Sequence, residues 1–173
     1  MKNLLIVVSV IFVLFTSCKK EEPIIYCSSA SAMINGTAWS TNGLAGYDEG
    51  EETFTIIMNE IDEDGIWILS HAYANIPRRV GSYTYDEIGL SPWHQDEQIG
   101  ASFHFLDDDV VLNSYILVET DTLNQFTIDS YNEETLEVEG SFRATFEVRQ
   151  PNGFGFPDTI RITDGHFSTT IWL

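Results

Sequence analysis

The sequence predicts an all-β fold, a single antiparallel β-sandwich or flattened β-barrel of about ten strands with little or no helix. Apolar and polar residues alternate with a period of two in nearly every segment, as in strands that have one buried and one solvated face. Turn residues recur about every 8–12 positions, which is typical of sandwiches and barrels. A hydrophobic content of 43%, with 13% aromatic residues, is enough for a sizeable core.

The clearest strand is the segment from Leu136 to Arg149, in which apolar residues alternate with polar or charged residues throughout. Gly140 interrupts the side chains of this strand near its middle. Because a glycine inside a strand weakens it and often marks a bulge, we expect a bulge or bend at Gly140.

The same alternation predicts the other strands. In chain order they are expected at Ala32–Ile34, Ala38–Ser40, Phe54–Ile61, Gly65–Ala72, Gly81–Tyr85, Ala101–Leu106, Tyr115–Thr120, Phe126–Asp129, Ile160–Thr163 and Phe167–Leu173. Asp62–Gly65 and Tyr131–Glu134 predict hairpin turns, and Asp164-Gly165 predicts a tight turn between the last two strands. A short helical turn is expected only within Asp86–Ile99, where Ser91-Pro92 could open one.

Residues 1–17 have the features of a lipoprotein signal peptide. Lys2 precedes an apolar stretch from Leu4 to Phe15, which is shorter than the ~20 residues that span a bilayer. Phe15-Thr16-Ser17-Cys18 resembles a lipobox, the site at which bacterial lipoproteins are diacylated on cysteine and cleaved. We therefore predict that Cys18 is lipidated, that residues 18–30 form a flexible tether, and that residues 31–173 form the all-β domain.

The segment after Cys18 indicates where the protein is located. Lys19-Lys20-Glu21-Glu22-Pro23 is charged and ends at a helix-breaking proline, which is typical of a tether. It resembles the export signal that sends Bacteroidetes lipoproteins to the outer face of the outer membrane. This resemblance predicts a lipid-anchored outer-membrane protein that faces the cell exterior, and a simple soluble spacer is the competing interpretation.

The chain is strongly acidic, with 27 acidic and 8 basic residues and a formal net charge of −19. Such a surface repels phosphate backbones, so nucleic acid is excluded as a partner. It also opposes self-association, and we expect a monomer. Cys27 is the second of two cysteines, so a lipidated Cys18 leaves no intrachain disulfide.

Three short motifs resemble a Bacteroidetes lipoprotein family of unknown function, the DUF6252-like family. They are Met33-Ile34-Asn35-Gly36-Thr37-Ala38-Trp39 near the start, the strand Leu136–Phe146, and the segment Thr159–Phe167 near the end. The resemblance implies an all-β fold and a surface lipoprotein. It supplies no catalytic residues.

Two acidic clusters are candidate calcium sites, because calcium takes six to eight oxygen ligands. They contain Asp62 and Asp64 in the first cluster and Asp107 and Asp109 in the second. Neither has EF-hand spacing, and a solvated turn is the interpretation that we favour. We expect no other cofactor.

Aromatic residues in loops are the candidate binding residues. Trp93, Phe154 and Phe156 lie beside glycine or proline where strands should end, with Arg149 nearby. Exposed rings of this kind can stack on sugars or enter a partner's pocket, although they can also fold back to plug the end of the domain. Thr122 and Thr159 lie in Asp-Thr-Leu and Asp-Thr-Ile, which resemble the O-glycosylation motif of exported Bacteroidetes proteins.

The leading hypothesis is a non-catalytic binding or cell-envelope module that contacts a glycan or an envelope protein through its end loops. The second is a glycan-directed hydrolase that uses a pair of carboxylates. The third is a calycin-like barrel that holds a small apolar ligand. Whether the chain is an enzyme is open, and the sequence favours the first hypothesis because it shows no catalytic motif.

Overall fold

The computed structural model describes residues 28–48, 52–84, 100–118, 121–149 and 155–172. Within these ranges every regular element is a β-strand, which confirms the predicted all-β fold. The strands are β1 (Ser29–Ile34), β2 (Thr37–Thr41), β3 (Gly43–Asp48), β4 (Thr53–Ile61), β5 (Trp67–Pro77), β6 (Gly81–Tyr83), β7 (Gly100–Asp107), β8 (Val110–Leu117), β9 (Gln125–Tyr131), β10 (Glu137–Val148) and β11 (Thr159–Trp172). The described residues contain no helix with the length and apolar character that a membrane crossing requires.

The strands form two facing layers, and two long strands of the first layer, β10 and β11, also pair with the edge strands of the second. One layer has the order β2-β1-β11-β10-β9-β6, and the other has the order β3-β4-β5-β7-β8. The C-terminal end of β11 pairs with β3, and the C-terminal end of β10 pairs with β8. The pairings therefore close into a ring, and the architecture is a flattened barrel. Among the described pairings, β11 with β3 is parallel and the others are antiparallel.

Aromatic side chains from both layers meet in the core. The Trp39 ring of β2 lies 5.0 Å from the His71 ring of β5, and the Tyr73 ring of β5 lies 5.1 Å from the Phe126 ring of β9. Phe142 of β10 packs 5.3 Å from Tyr73. Each such buried side chain contributes about 1.5–3 kcal/mol relative to an exposed one, so these contacts fix how the two layers face each other.

Gly140 lies at an irregularity of the β9–β10 pairing, as predicted. The register shifts between Glu139 and Gly140. A Cβ at position 140 would overlap the carbonyl oxygen of Thr127 and lie 2.7 Å from the Phe167 ring. The glycine is required because a neighbouring strand and a core ring both approach its Cα.

The predicted turn at Asp164-Gly165 is wrong. β11 runs without interruption through both residues, and the two predicted terminal strands are one. Relative to both β1 and β10, β11 contains one extra residue at this point, and Asp164 has a φ of 51°. Aspartate and glycine serve here as a β-bulge, which uses the same backbone freedom as a tight turn.

The sequence did not predict β3, because Gly43 and Gly46 make its segment look like a loop. Both glycines permit close packing instead. A Cβ at Gly43 would lie 2.5 Å from the carbonyl oxygen of Asn59, and one at Gly46 would lie 3.3 Å from that of Thr170. Strand β8 also begins at Val110, earlier than the predicted Tyr115.

Two other boundaries bear on the predictions. Strand β1 begins at Ser29, ahead of the predicted domain start at residue 31. The helical turn expected within 86–99 falls outside the described residues.

Candidate functional site

Two neighbouring hairpins end side by side at one end of the barrel. Residues 62–66 connect β4 to β5, and residues 108–109 connect β7 to β8. Strands β5 and β7 are paired, and the backbone N–H of Asp108 donates to the carbonyl oxygen of Trp67 at 3.1 Å. The two turns are therefore held together by a hydrogen bond between their backbones.

The first turn is organised by Asp62. Its Oδ1 accepts hydrogen bonds from the backbone N–H groups of Asp64 and Ile66, both at 2.9 Å. This is the way in which aspartate stabilises turns, and it accounts for Asp62 without a metal ion. Asp64, Asp107 and Asp109 are exposed. Among the described residues, no three His, Cys, Asp or Glu side chains are grouped to hold a metal ion, and the calcium site stays a prediction.

Four large apolar side chains are exposed beside these acidic turns. Ile61 and Trp67, which are cross-strand partners, are 47% and 46% exposed. Val110 and Val111 on the second hairpin are 55% and 54% exposed. We call these four residues, together with the acidic residues 62–64 and 107–109, the hairpin-tip surface.

The apolar part of this surface was not predicted from the sequence. Trp67 is in phase with the buried residues of β5, so alternation assigns it to the core, but it is exposed as the first residue of its strand. Ile61, the last residue of β4, follows a register shift and is out of phase with the buried Met58. Since strand ends are the least certain part of a sequence prediction, the only available signal was large apolar residues directly flanking an acidic turn.

Arg149, Phe156 and Pro157, which lie between β10 and β11, contact β7 and β8. The exposed residue Arg149 follows β10, and its backbone N–H donates to the carbonyl oxygen of Ser114 on β8 at 2.9 Å. Phe156 is half-buried and stacks on Phe105 of β7, with ring centroids 4.5 Å apart. The structure thus brings Arg149 and Phe156 to the end that carries the acidic hairpins.

Phe156 folds back onto the domain, as the competing interpretation expected. The Tyr115 hydroxyl donates to the carbonyl oxygen of Pro157 at 2.8 Å and fixes the adjacent backbone. Phe156 therefore helps to close this end of the barrel. Trp93 and Phe154 lie outside the described residues.

The two loops expected to bind enter the sheet at different levels along the strand direction. Strand β10 ends at Val148, which pairs with Tyr115, the partner of Phe103 in β7. The segment containing Trp93 joins β7 at Gly100, three residues from Phe103 in the direction away from the hairpin-tip surface. The register thus separates the points at which the two loops enter the sheet by about 10 Å.

Both predicted glycosylation acceptors are exposed. Thr122 lies in a turn where the Asp121 carboxylate accepts hydrogen bonds from the Thr145 hydroxyl at 2.6 Å and from the Leu123 backbone N–H at 2.9 Å. These bonds lower the pKa of Asp121, led by the bond from Thr145. Thr159 begins β11 and its carbonyl oxygen accepts a hydrogen bond from the Asn35 side chain. Modification of either residue stays a prediction.

Two shallow grooves lie on the outer face of the sheet. One, of about 470 Å³, is lined by Asn35, Gly36, Thr159, Arg161 and Thr163. The other, of about 230 Å³, is lined by Gln125, Thr127, Ser141, Phe142, Arg143, Asp164, Gly165 and His166. Asp164 is the one carboxylate among these lining residues, so neither groove presents the carboxylate pair that a glycoside hydrolase requires.

A fully buried histidine lies in the core. His71 alternates with Leu69 and Tyr73 along β5, and its ring is 5.5 Å from that of Phe142. Neither ring nitrogen has a hydrogen-bond partner among the described residues. Burial lowers the pKa of His71 to about 3, so the imidazole is neutral at neutral pH. Aromatic rings enclose it, and it is part of the core.

No family model matches the chain, and neither a curated protein nor a solved structure matches it. The resemblance to DUF6252-like lipoproteins stays a prediction from the three short motifs.

Proposed function

We propose that this chain is a lipoprotein of the outer membrane, facing the cell exterior, whose β domain is a non-catalytic binding module. The anchor is Cys18, on the strength of the lipobox and the charged segment that follows it. The hairpin-tip surface is the contact site for an envelope protein. The observation that carries the proposal is the exposure of four large apolar residues on two adjoining, hydrogen-bonded hairpins.

The direction of the strands supports display of this surface. The described chain begins at Ser28, and Ser29 pairs with Ser168 near the C-terminal end of β11. β11 begins at Thr159, just after the segment that shares an end with the hairpin tips. The tether thus enters the domain near one end of the barrel, and the hairpin-tip surface lies at the other end.

The charge pattern specifies the chemistry of the partner. Residues 62–64 and 107–109 are six exposed acidic residues on the same two hairpins as the four exposed apolar residues. A matching partner has an apolar centre with a Lys- or Arg-rich rim, because opposite charges steer association and like charges oppose it. Exposed apolar patches rimmed by polar residues are typical of protein interaction sites.

The anchor is tested by the variant Cys18→Ala. We expect it to leave the membrane fraction and to lose palmitate labelling, because the lipid is attached through this sulfur. Cys27→Ala is the matched control and should behave as the unaltered protein. External protease should degrade the lipidated protein on intact cells. Unchanged fractionation and labelling of Cys18→Ala would refute the anchor.

The binding surface is tested with the lipidated protein held in phosphatidylcholine nanodiscs. The probe is a short alternating Lys-Leu peptide, and Lys-Ser and Glu-Leu peptides of equal length are the controls. We expect the Lys-Leu peptide to bind best, and Trp67→Ala to weaken it about 10- to 100-fold, since a central tryptophan often dominates an interface. Val80→Ala, at a position 63% exposed outside the surface, should have no effect. Equal effects of the two substitutions would refute the site.

A further inference from the structure

Two exposed aromatic residues lie side by side on the outer face of the barrel. Tyr47 of β3 and Trp172 of β11 are register partners, and each is 48% exposed. Because register partners in adjacent strands point to the same face, the two side chains form one aromatic surface. The alternation of β11 places Trp172 outside, since Ile171 before it is buried.

The outward positions next to this pair along the two strands are Ala45 and Thr170. Acidic residues lie at the border of the pair, because Glu137 of β10 is the register partner of Thr170 and Asp48 follows Tyr47 directly.

The pair lies close to the point where the tether enters the domain. The hydroxyls of Ser28 and Thr169 are 2.9 Å apart, and Trp172 follows Thr169 by three residues, about 10 Å along the strand. Cys18 precedes Ser28 by ten residues, which span at most about 35 Å when fully extended. The lipid on Cys18 therefore holds this part of the domain within reach of the bilayer surface.

We infer that Tyr47 and Trp172 form a membrane-contact surface that inserts into the interfacial layer of the bilayer carrying the anchor. This inference rests on the proposed lipidation of Cys18. Tryptophan and tyrosine prefer the boundary between headgroups and hydrocarbon, because each has an apolar ring and a polar group. The tether supplies a high effective concentration at the surface, so a weak contact is enough to be occupied.

The contact sets the orientation of the domain. With the Tyr47–Trp172 face on the bilayer, the acidic hairpin-tip surface is held away from anionic lipid headgroups. The tether selects this arrangement over the reverse one, because it enters the domain beside Thr169, away from the hairpin tips.

Fluorescence quenching by brominated lipid tests the inference. The lipidated full-length protein is reconstituted in phosphatidylcholine vesicles with and without dibrominated phosphatidylcholine, and flotation measures attachment. We expect bromolipid to quench the tryptophan emission, and Trp172→Phe to remove at least half of that quenching. Trp67→Phe is the matched control, because Trp67 is 46% exposed, and it should retain the quenching. Tyr47→Ser should reduce quenching of Trp172 without altering flotation.

The outcomes separate the contact from the anchor. Normal flotation with quenching that survives in Trp172→Phe overturns the membrane contact and leaves the anchor intact. Failure of the unaltered protein to float overturns both. Trp172 emission that changes with protein concentration but not with bromolipid would show that a second copy of the chain covers this surface. That result would also overturn the inference.

Discussion

Trp67 and Trp172 have nearly equal exposed fractions, 46% and 48%, but they lie at opposite ends of the barrel. The distance between the two tryptophans can be read along strand β4. Thr55 pairs with Tyr47 beside Trp172, whereas Ile61, six residues farther along β4, pairs with Trp67. This is about 20 Å of strand. Trp67 lies beside two turns with six exposed acidic residues, whereas Trp172 lies beside the Tyr47 ring, with Glu137 as the nearest acidic residue on β10.

The comparison shows that exposure alone does not identify a partner. Both tryptophans would gain by burial of their rings. The acidic turns beside Trp67 favour a cationic protein, whereas Trp172 pairs with a second aromatic ring close to the point where the tether enters the domain. The difference between the two ends therefore lies in the neighbouring side chains and in the distance from the tether.

The largest expected effect concerns the core that joins the two ends. The pKa of His71 is lowered to about 3, below the usual 6.5, so the stability that its neutral form supports is complete above pH 6.5 and is lost as the pH falls towards 3. Between pH 7.5 and 5 this loss is about 2 kcal/mol, and it approaches about 5 kcal/mol at lower pH. Urea unfolding at the two pH values measures it.

His71→Leu should remove this part of the pH dependence, whereas His166→Leu, on the exposed outer face, should retain it. If the two ends belong to one cooperative unit, the emission of Trp67 and that of Trp172 will change at the same urea concentration. Identical pH dependence in His71→Leu and the unaltered protein would show that protonation of His71 does not cause the loss of stability at low pH.

The next effect separates the barrel from one of its ends. Gly140→Val should destabilise the whole domain by more than about 3 kcal/mol, because a side chain there collides with Thr127 and Phe167. Gly65, in the first hairpin turn, has a φ of 85° and open space around its Cα. Gly65→Ala should cost only about 1 kcal/mol, from backbone strain in the left-handed region.

Thermal unfolding measures both substitutions. We expect Gly140→Val to abolish peptide binding and the bromolipid quenching of Trp172 together. Gly65→Ala should weaken peptide binding and leave the quenching unchanged. An effect of Gly65→Ala on Trp172 would contradict the independence of the two ends.

The sequence predicted the barrel better than its surfaces. Period-two alternation identifies strands such as β10 because each inward side chain packs against the opposite layer. It failed at Asp164-Gly165 because a bulge and a tight turn require the same residues. It also failed at β3, where the reason for Gly43 and Gly46 is the closeness of other strands, which no local pattern records.

The candidate surfaces were harder to predict for a related reason. Alternation assigns Trp67 to the core, and its exposure follows only from its place at the start of β5. Alternation does place Trp172 outside, but it does not show that Tyr47 lies beside it. Arg149 and Phe156 were predicted from a loop signal, and the structure brings them to the acidic end. The stacking of Phe156 on Phe105 depends on a contact about 50 residues apart in sequence, which alternation does not encode.

The smallest expected effect distinguishes the two surfaces by their response to salt. Raising the salt concentration from 50 to 500 mM should weaken the Lys-Leu peptide several-fold, because the Debye length falls from roughly 14 to 4 Å and screens the six carboxylates. The bromolipid quenching of Trp172 should stay within experimental error, because two aromatic rings make that contact and apolar burial is not screened. Peptide binding that does not change with salt would show that the acidic residues do not contribute to recognition. Binding would then depend on the exposed apolar residues alone. Quenching that falls in parallel with the peptide would mean that charge also controls the membrane-facing end.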